Sequence, residues 1–139
     1  MAVAAVTPRV RSIIICDNLF TSTTAEDVFT LEGVRLNMWA DSLPLRAELS
    51  FFMILSNARK GSYHGKILIV NQQTDKLTRY VKFLATFDEA NDLVPLYVDL
   101  GECVFSIAGP YRFEVYFSAQ GGGEALKGEL PFNVLPYEE

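Results

Sequence analysis

Apolar and polar positions alternate along most of this chain. Over residues 111–118, Tyr111, Phe113, Val115 and Phe117 alternate with Arg112, Glu114, Tyr116 and Ser118. Such a period of two marks a strand with one buried face. Residues 45–55 repeat it, with Leu45, Ala47, Leu49, Phe51, Met53 and Leu55 facing inward. Residues 94–100 set Val94, Leu96, Val98 and Leu100 against Pro95, Tyr97 and Asp99. A proline in that run places it at a strand start or a sheet edge. In residues 126–134, Leu126, Leu130, Phe132 and Val134 form the inward set. Further strands are predicted at residues 10–16, 28–36, 66–71 and 77–85.

Turn-forming segments separate the runs: NARKGS at 57–62, NQQTDK at 71–76, FDEAND at 87–92, IAGP at 107–110 and QGGGE at 120–124. Only TTAEDVFTLEG has helical character, with Thr24 as a cap and Asp27 three residues on. Val28, Phe29, Thr30 and Leu31 favour strand, so one turn before a strand is expected there. About eight short strands at close spacing predict an all-β, Ig-like antiparallel sandwich of seven to nine strands, one domain over residues 1–139.

Composition narrows the function. A chain of 139 residues buries about two thirds of its unfolded surface and needs no metal or disulfide to fold. Half the residues are hydrophobic and the mean hydropathy is +0.17, so the core is thick or some apolar surface meets a partner. The net charge is −5 with no basic stripe, which argues against a nucleic-acid partner. MAVAAVTPRVRS lacks the pattern of a signal peptide, and no apolar run reaches the 18 or so residues of a membrane span. A cytoplasmic protein with two reduced thiols, Cys16 and Cys103, is expected. Trp39 between the cysteines mimics an antibody-type disulfide pattern, but Cys103 precedes Tyr111, whereas the second cysteine of that pattern follows its tyrosine.

Chemical motifs are weak. GSYHGKILIV holds the only histidine, His64, and a Gly65–Lys66 pair. A phosphate loop needs four residues between its glycines, a Ser or Thr after the lysine, and a following helix. Here three residues intervene, Ile67 follows, and ILIV is a strand, so Gly61 is read as a turn and Gly65 as a strand start. One histidine and two cysteines in apolar runs make neither a Cys–His nucleophile nor a four-ligand zinc site. The FDEAND acids do not have EF-hand spacing. No carboxylate pair stands out for hydrolysis. A non-enzyme without cofactor or metal is expected.

Two surfaces remain. Several strands are apolar on both faces, while a sandwich needs only one. The surplus at Phe52, Ile54, Leu68, Val70 and Tyr116 is covered from within the chain or by another subunit. The leading expectation is an assembly module that binds itself or another protein through the face with Leu68, Val70 and Tyr116. The alternative is a small-ligand or carbohydrate site in end loops near Asp17, Asp88, Asp92 and Gly122. Asp17 itself is read as a turn-former at a strand end.

The landmarks IIICDN, LEGV, DSLP, GPYRFEVYF and LPFNVLP, in this order over nearly the whole chain, resemble a family of small bacterial proteins of unknown function with an Ig-like β-sandwich. Cys16-Asp17, Gly33-Val34 and Gly109-x-Tyr111-x-Phe113-x-Val115 carry the likeness, and the long NLFTSTTAEDVFT segment departs from it. The resemblance implies a fold and no catalytic or binding residue. Tyr111 after Ala-Gly-Pro also resembles the corner tyrosine of such sandwiches, whose hydroxyl bonds to nearby backbone.

Overall fold

The computed structural model describes residues 7–56, 59–89, 93–118 and 123–137, and everything said below concerns those residues. Nine strands and no helix are present: β1 (Arg9–Thr21), β2 (Phe29–Val34), β3 (Met38–Ala40), β4 (Leu45–Ser56), β5 (Gly61–Asn71), β6 (Leu77–Phe87), β7 (Val94–Phe105), β8 (Gly109–Ser118) and β9 (Glu124–Pro136). They form a four-stranded sheet in the order β2-β1-β4-β7 and a five-stranded sheet in the order β3-β9-β8-β5-β6. All pairings are antiparallel except β3 with β9. No helix is long and apolar enough to cross a membrane.

The alternating runs meet between the sheets. Phe51, Met53 and Leu55 from one sheet pack against Ile67, Ile69, Phe113, Val115 and Phe132 from the other. Aromatic rings fill the middle: Phe51 lies 5.8 Å from Phe113, and Phe113 stacks on Phe132 at 4.7 Å. Tyr111 closes one end, packing on Phe105 and Phe132 and donating its hydroxyl to the Ile107 carbonyl at 2.7 Å, the backbone bond expected of a corner tyrosine.

Bulges explain where the period of two misleads. The 94–100 run continues past an extra residue, Leu100, to Phe105. Gly101 takes a φ of +67° there, and its amide donates to Asp99 Oδ1. Arg79 of β6 donates to the Leu100 carbonyl at 2.8 Å and ties the two sheets at this side. A second shift in β9 sets Leu126 opposite Tyr116 on the outer face, 46 % exposed, and not inward with Leu130, Phe132 and Val134. Pro95 lies on β7, which is a sheet edge as expected.

Other expectations need correction. β5 begins at Gly61, so Gly65 is an interior strand residue, chosen for smallness: Phe83 of β6 lies across it. In place of the turn capped by Thr24, Ser22 Oγ accepts from the amides of Thr24 and Ala25. Run 28–36 ends as a strand at Val34 and is followed by β3, too short and too distant from β9 in sequence to leave a local pattern. Strand 10–16 extends to Thr21 because β1 pairs with β4 through Cys16 and then with β2 from Cys16 onward. Asp17 is therefore an interior strand residue, held by Arg35 at 2.6 Å, and not a turn-former.

Candidate functional site: the outer face of the five-stranded sheet

Strand register sets side chains of four strands into cross-strand rows on this face. Tyr80, Leu68, Glu114 and Glu129 form one row of neighbours from β6 to β9. Lys82, Lys66, Tyr116 and Leu126 form the next. Leu84 stands opposite His64 one step further on. Of the hydrophobic side chains in these rows, Tyr80, Leu84 and Leu126 are 40 %, 50 % and 46 % exposed.

Lys66 and Lys82 face each other directly, an unfavourable like-charge pair on its own. Aromatic rings and one carboxylate offset it. The Lys66 ammonium lies 5.3 Å from the Tyr116 ring and 5.8 Å from the Tyr80 ring, and it pairs with Glu124. Lys82 lies 5.9 Å from the Tyr80 ring. With His64 and Ser118 these residues line a depression of about 240 Å³.

Glu114 anchors the acidic side. It is 7 % exposed, a buried carboxylate on the middle strand β8. Its neighbours two residues away on the same strand satisfy it: Arg112 Nε donates to Oε2 at 2.5 Å and Tyr116 Oη donates to Oε1 at 3.0 Å. Arg112 also reaches Asp75. The hydrogen bond to Glu114 pushes the Arg112 guanidinium up from its ordinary value. Burial, then the Glu114 hydrogen bond, pushes the Tyr116 phenol up. A buried carboxylate is tolerated only when so partnered, and removing Arg112 would strand it. Lys82 and Glu129 form no ion pair among the described residues.

Leu68, Val70 and Tyr116 share this face, as expected from alternation, but only Leu68 and Tyr116 are partly exposed; Val70 is buried and adds no contact surface. Phe52 and Ile54 do not: they lie on the outer face of the other sheet. There Phe29 of β2 packs its ring 5.2 Å from Phe52 and 6.3 Å from Tyr97, so the β1–β2 hairpin comes back over that face and buries Phe52 from within the chain. Of the end-loop residues, Asp88 follows β6 and is exposed, while Asp17 sits inside β1 against Arg35. These two are not brought together. Asp92 and Gly122 lie outside the described residues.

The thiols are placed for packing. Cys103 faces the core, where burial pushes it up to about 11. Cys16 is buried in β1 and raised by burial, then by Asp17. Both are free, and His64 lies on the other sheet. No group of three metal-ligating side chains occurs among the described residues. Lys66, Lys82 and Glu114 were missed from sequence because their meaning depends on register: only pairing shows that the lysines are neighbours and that the glutamate is buried. No protein-family model matches the chain, and no curated protein matches it either.

Proposed function

We propose that this protein is a non-catalytic assembly module that self-associates through the outer face of its five-stranded sheet. The observation that carries the reading is the division of the charges left without an ion pair on that face among the described residues, Lys82 on β6 and Glu129 on β9, since Lys66 is held by Glu124 and Glu114 by Arg112. Lys66 and Lys82 lie on β5 and β6, Glu114 and Glu129 lie on β8 and β9, and Leu68, Tyr80, Tyr116 and Leu126 stand among them. A two-fold axis along the strands lays β6 with Lys82 of one copy over β9 with Glu129 of the other. Such a face is complementary to itself, as a two-fold interface requires. Exposed aromatic and leucine side chains supply the apolar contact.

We infer further that the sandwich is Ig-like and that the chain belongs with the small bacterial family its landmarks resemble. Supporting this, β1, β4 and β7 share one sheet and β5, β8 and β9 the other, the division of strands A, B, E from C, F, G, and Tyr111 supplies the corner hydroxyl. Two buried free cysteines support a reducing, cytoplasmic setting.

Sedimentation velocity tests the assembly. Wild type should sediment as a dimer or larger at micromolar concentration. Lys82→Glu and Glu129→Lys should each shift it to monomer, and the double charge swap should restore association. A wild type that stays monomeric up to 100-fold higher concentration refutes the proposal, as does a swap that fails to rescue correctly folded single variants.

A further inference from the structure

At the β3 corner of the five-stranded sheet, alternation turns one set of side chains out into water. Met38 and Ala40 of β3 are buried, so Asn37 and Trp39 face outward. Phe132 and Val134 of β9 are buried, so Asn133 faces outward beside them. Tyr137 N donates to the Ala40 carbonyl at 3.1 Å, which fixes Tyr137 just past the end of β9. The Trp39 and Tyr137 rings meet there with centroids 5.7 Å apart and planes inclined by 36°. They are 51 % and 59 % exposed, so the two rings make an open platform rather than part of the core.

A pair of carboxamides adjoins the platform. Asn37 Oδ1 accepts from the Asn133 backbone amide at 3.1 Å and from Asn133 Nδ2 at 3.4 Å. These bonds orient both side chains. Asn37 Nδ2 is left as a donor and Asn133 Oδ1 as an acceptor, neither with a partner among the described residues. Asn37 and Trp39 are two positions apart on one strand face, about 7 Å along it. One extended ligand therefore reaches the rings and the amides together.

We infer that this patch binds a neutral oligosaccharide. A pyranose offers a face of C–H hydrogens, which suits the electron-rich face of an aromatic ring. Its hydroxyls both donate and accept, which suits a carboxamide donor and acceptor held side by side. One sugar lies on Trp39 and Tyr137, and the hydroxyls of the next bond to Asn37 and Asn133. All four side chains are uncharged, so the ligand needs no charge. Asn133 stands four positions along β9 from Glu129 of the assembly face. The site shares no residue with the end-loop group expected from sequence.

Trp39 is the only tryptophan, so its fluorescence reads the platform directly. The test is a titration of the full chain with cellotriose, maltotriose and triacetylchitotriose at millimolar concentrations, with sorbitol as an open-chain polyol that lacks a ring face. At least one trisaccharide should change the emission saturably, and sorbitol should not. Tyr137→Ala and Asn133→Ala should each weaken binding, by about tenfold and about threefold to tenfold. Asn133→Ala keeps the backbone bond that Asn37 accepts, so β3 stays in place. Circular dichroism checks that both variants fold. No saturable change with any of the three sugars overturns the inference. An equal response to sorbitol does so as well, as does unchanged affinity in both folded variants. Emission that instead follows protein dilution without sugar would give the patch to a second copy of the chain and overturn it too.

Discussion

Replacing Gly65 by alanine should destabilise the protein, although strand propensity argues the opposite. Gly65 stands between Phe83 of β6 and Phe117 of β8, its partners in register. The two rings meet edge to face over it, with centroids 5.5 Å apart. A Cβ at position 65 would lie 2.4 Å from Phe83 Cζ and 2.7 Å from Cε2, so the Phe83 ring must swing away. That forfeits an edge-to-face contact of about 0.5–1.5 kcal/mol. Exposing roughly 40 Å² of ring removes about 1 kcal/mol more at ~25 cal/mol per Å². Alanine recovers about 0.5–1 kcal/mol of the glycine penalty in a strand. The net is a loss of about 1 kcal/mol. In a Phe83→Ala background there is no ring to displace, and the same substitution should stabilise by about 0.5–1 kcal/mol. Urea unfolding followed by far-ultraviolet circular dichroism reads both effects as midpoint shifts at constant slope. A double-mutant cycle then gives a coupling of about 2 kcal/mol. If Gly65→Ala raises the midpoint with Phe83 present, or shifts it equally in both backgrounds, the close approach is not what selects glycine.

Two further outcomes follow from single groups. Tyr111→Phe should lower stability by about 1 kcal/mol by removing the hydrogen bond to the Ile107 carbonyl, and a thermal midpoint equal to wild type would show that the corner bond contributes nothing. Cys103 makes stability fall in alkali: the folded thiol stays neutral up to about 11 while the unfolded thiol ionises near its ordinary 9.0. Stability present below pH 9 is therefore lost between pH 9 and 11, by about 3 kcal/mol in total. Urea midpoints at pH 8 and 10.5 should show about 2 kcal/mol of this drop in wild type and a smaller one in Cys103→Val. An equal drop in both would remove Cys103 as its source.

Alternation made the two-sheet architecture readable, because each buried run offers a continuous apolar stripe. It failed wherever one extra residue reset the phase. Leu126 reads as inward with Leu130 until the bulge at β9 turns it out. The surplus apolar residues could not be sorted either: Phe52 and Leu68 look alike in sequence, yet the first is covered by Phe29 and the second lies among charged neighbours on an open face. Asp17 was misread because a Cys-Asp-Asn step resembles a strand end, whereas Gly33 makes room for its carboxylate. A Cβ there would stand 2.3 Å from Asp17 Oδ2.

The short strand β3 has a consequence for how the protein comes apart. Its pairing with β9 is parallel and only three residues long, supported by Asn37 accepting from the amide of Asn133, 96 positions away. Closing so long a loop for so few bonds makes this the ladder that forms last and frays first. Trp39, the chain's single tryptophan, sits on it, half exposed, 5.7 Å from the Tyr137 ring. Intrinsic fluorescence therefore reports the departure of β3 before the sandwich melts. Once β3 has left, Val134, Leu135 and Pro136 join the rest of β9 as one continuous unpaired edge, so the earliest optical change on heating also marks the onset of edge-to-edge aggregation.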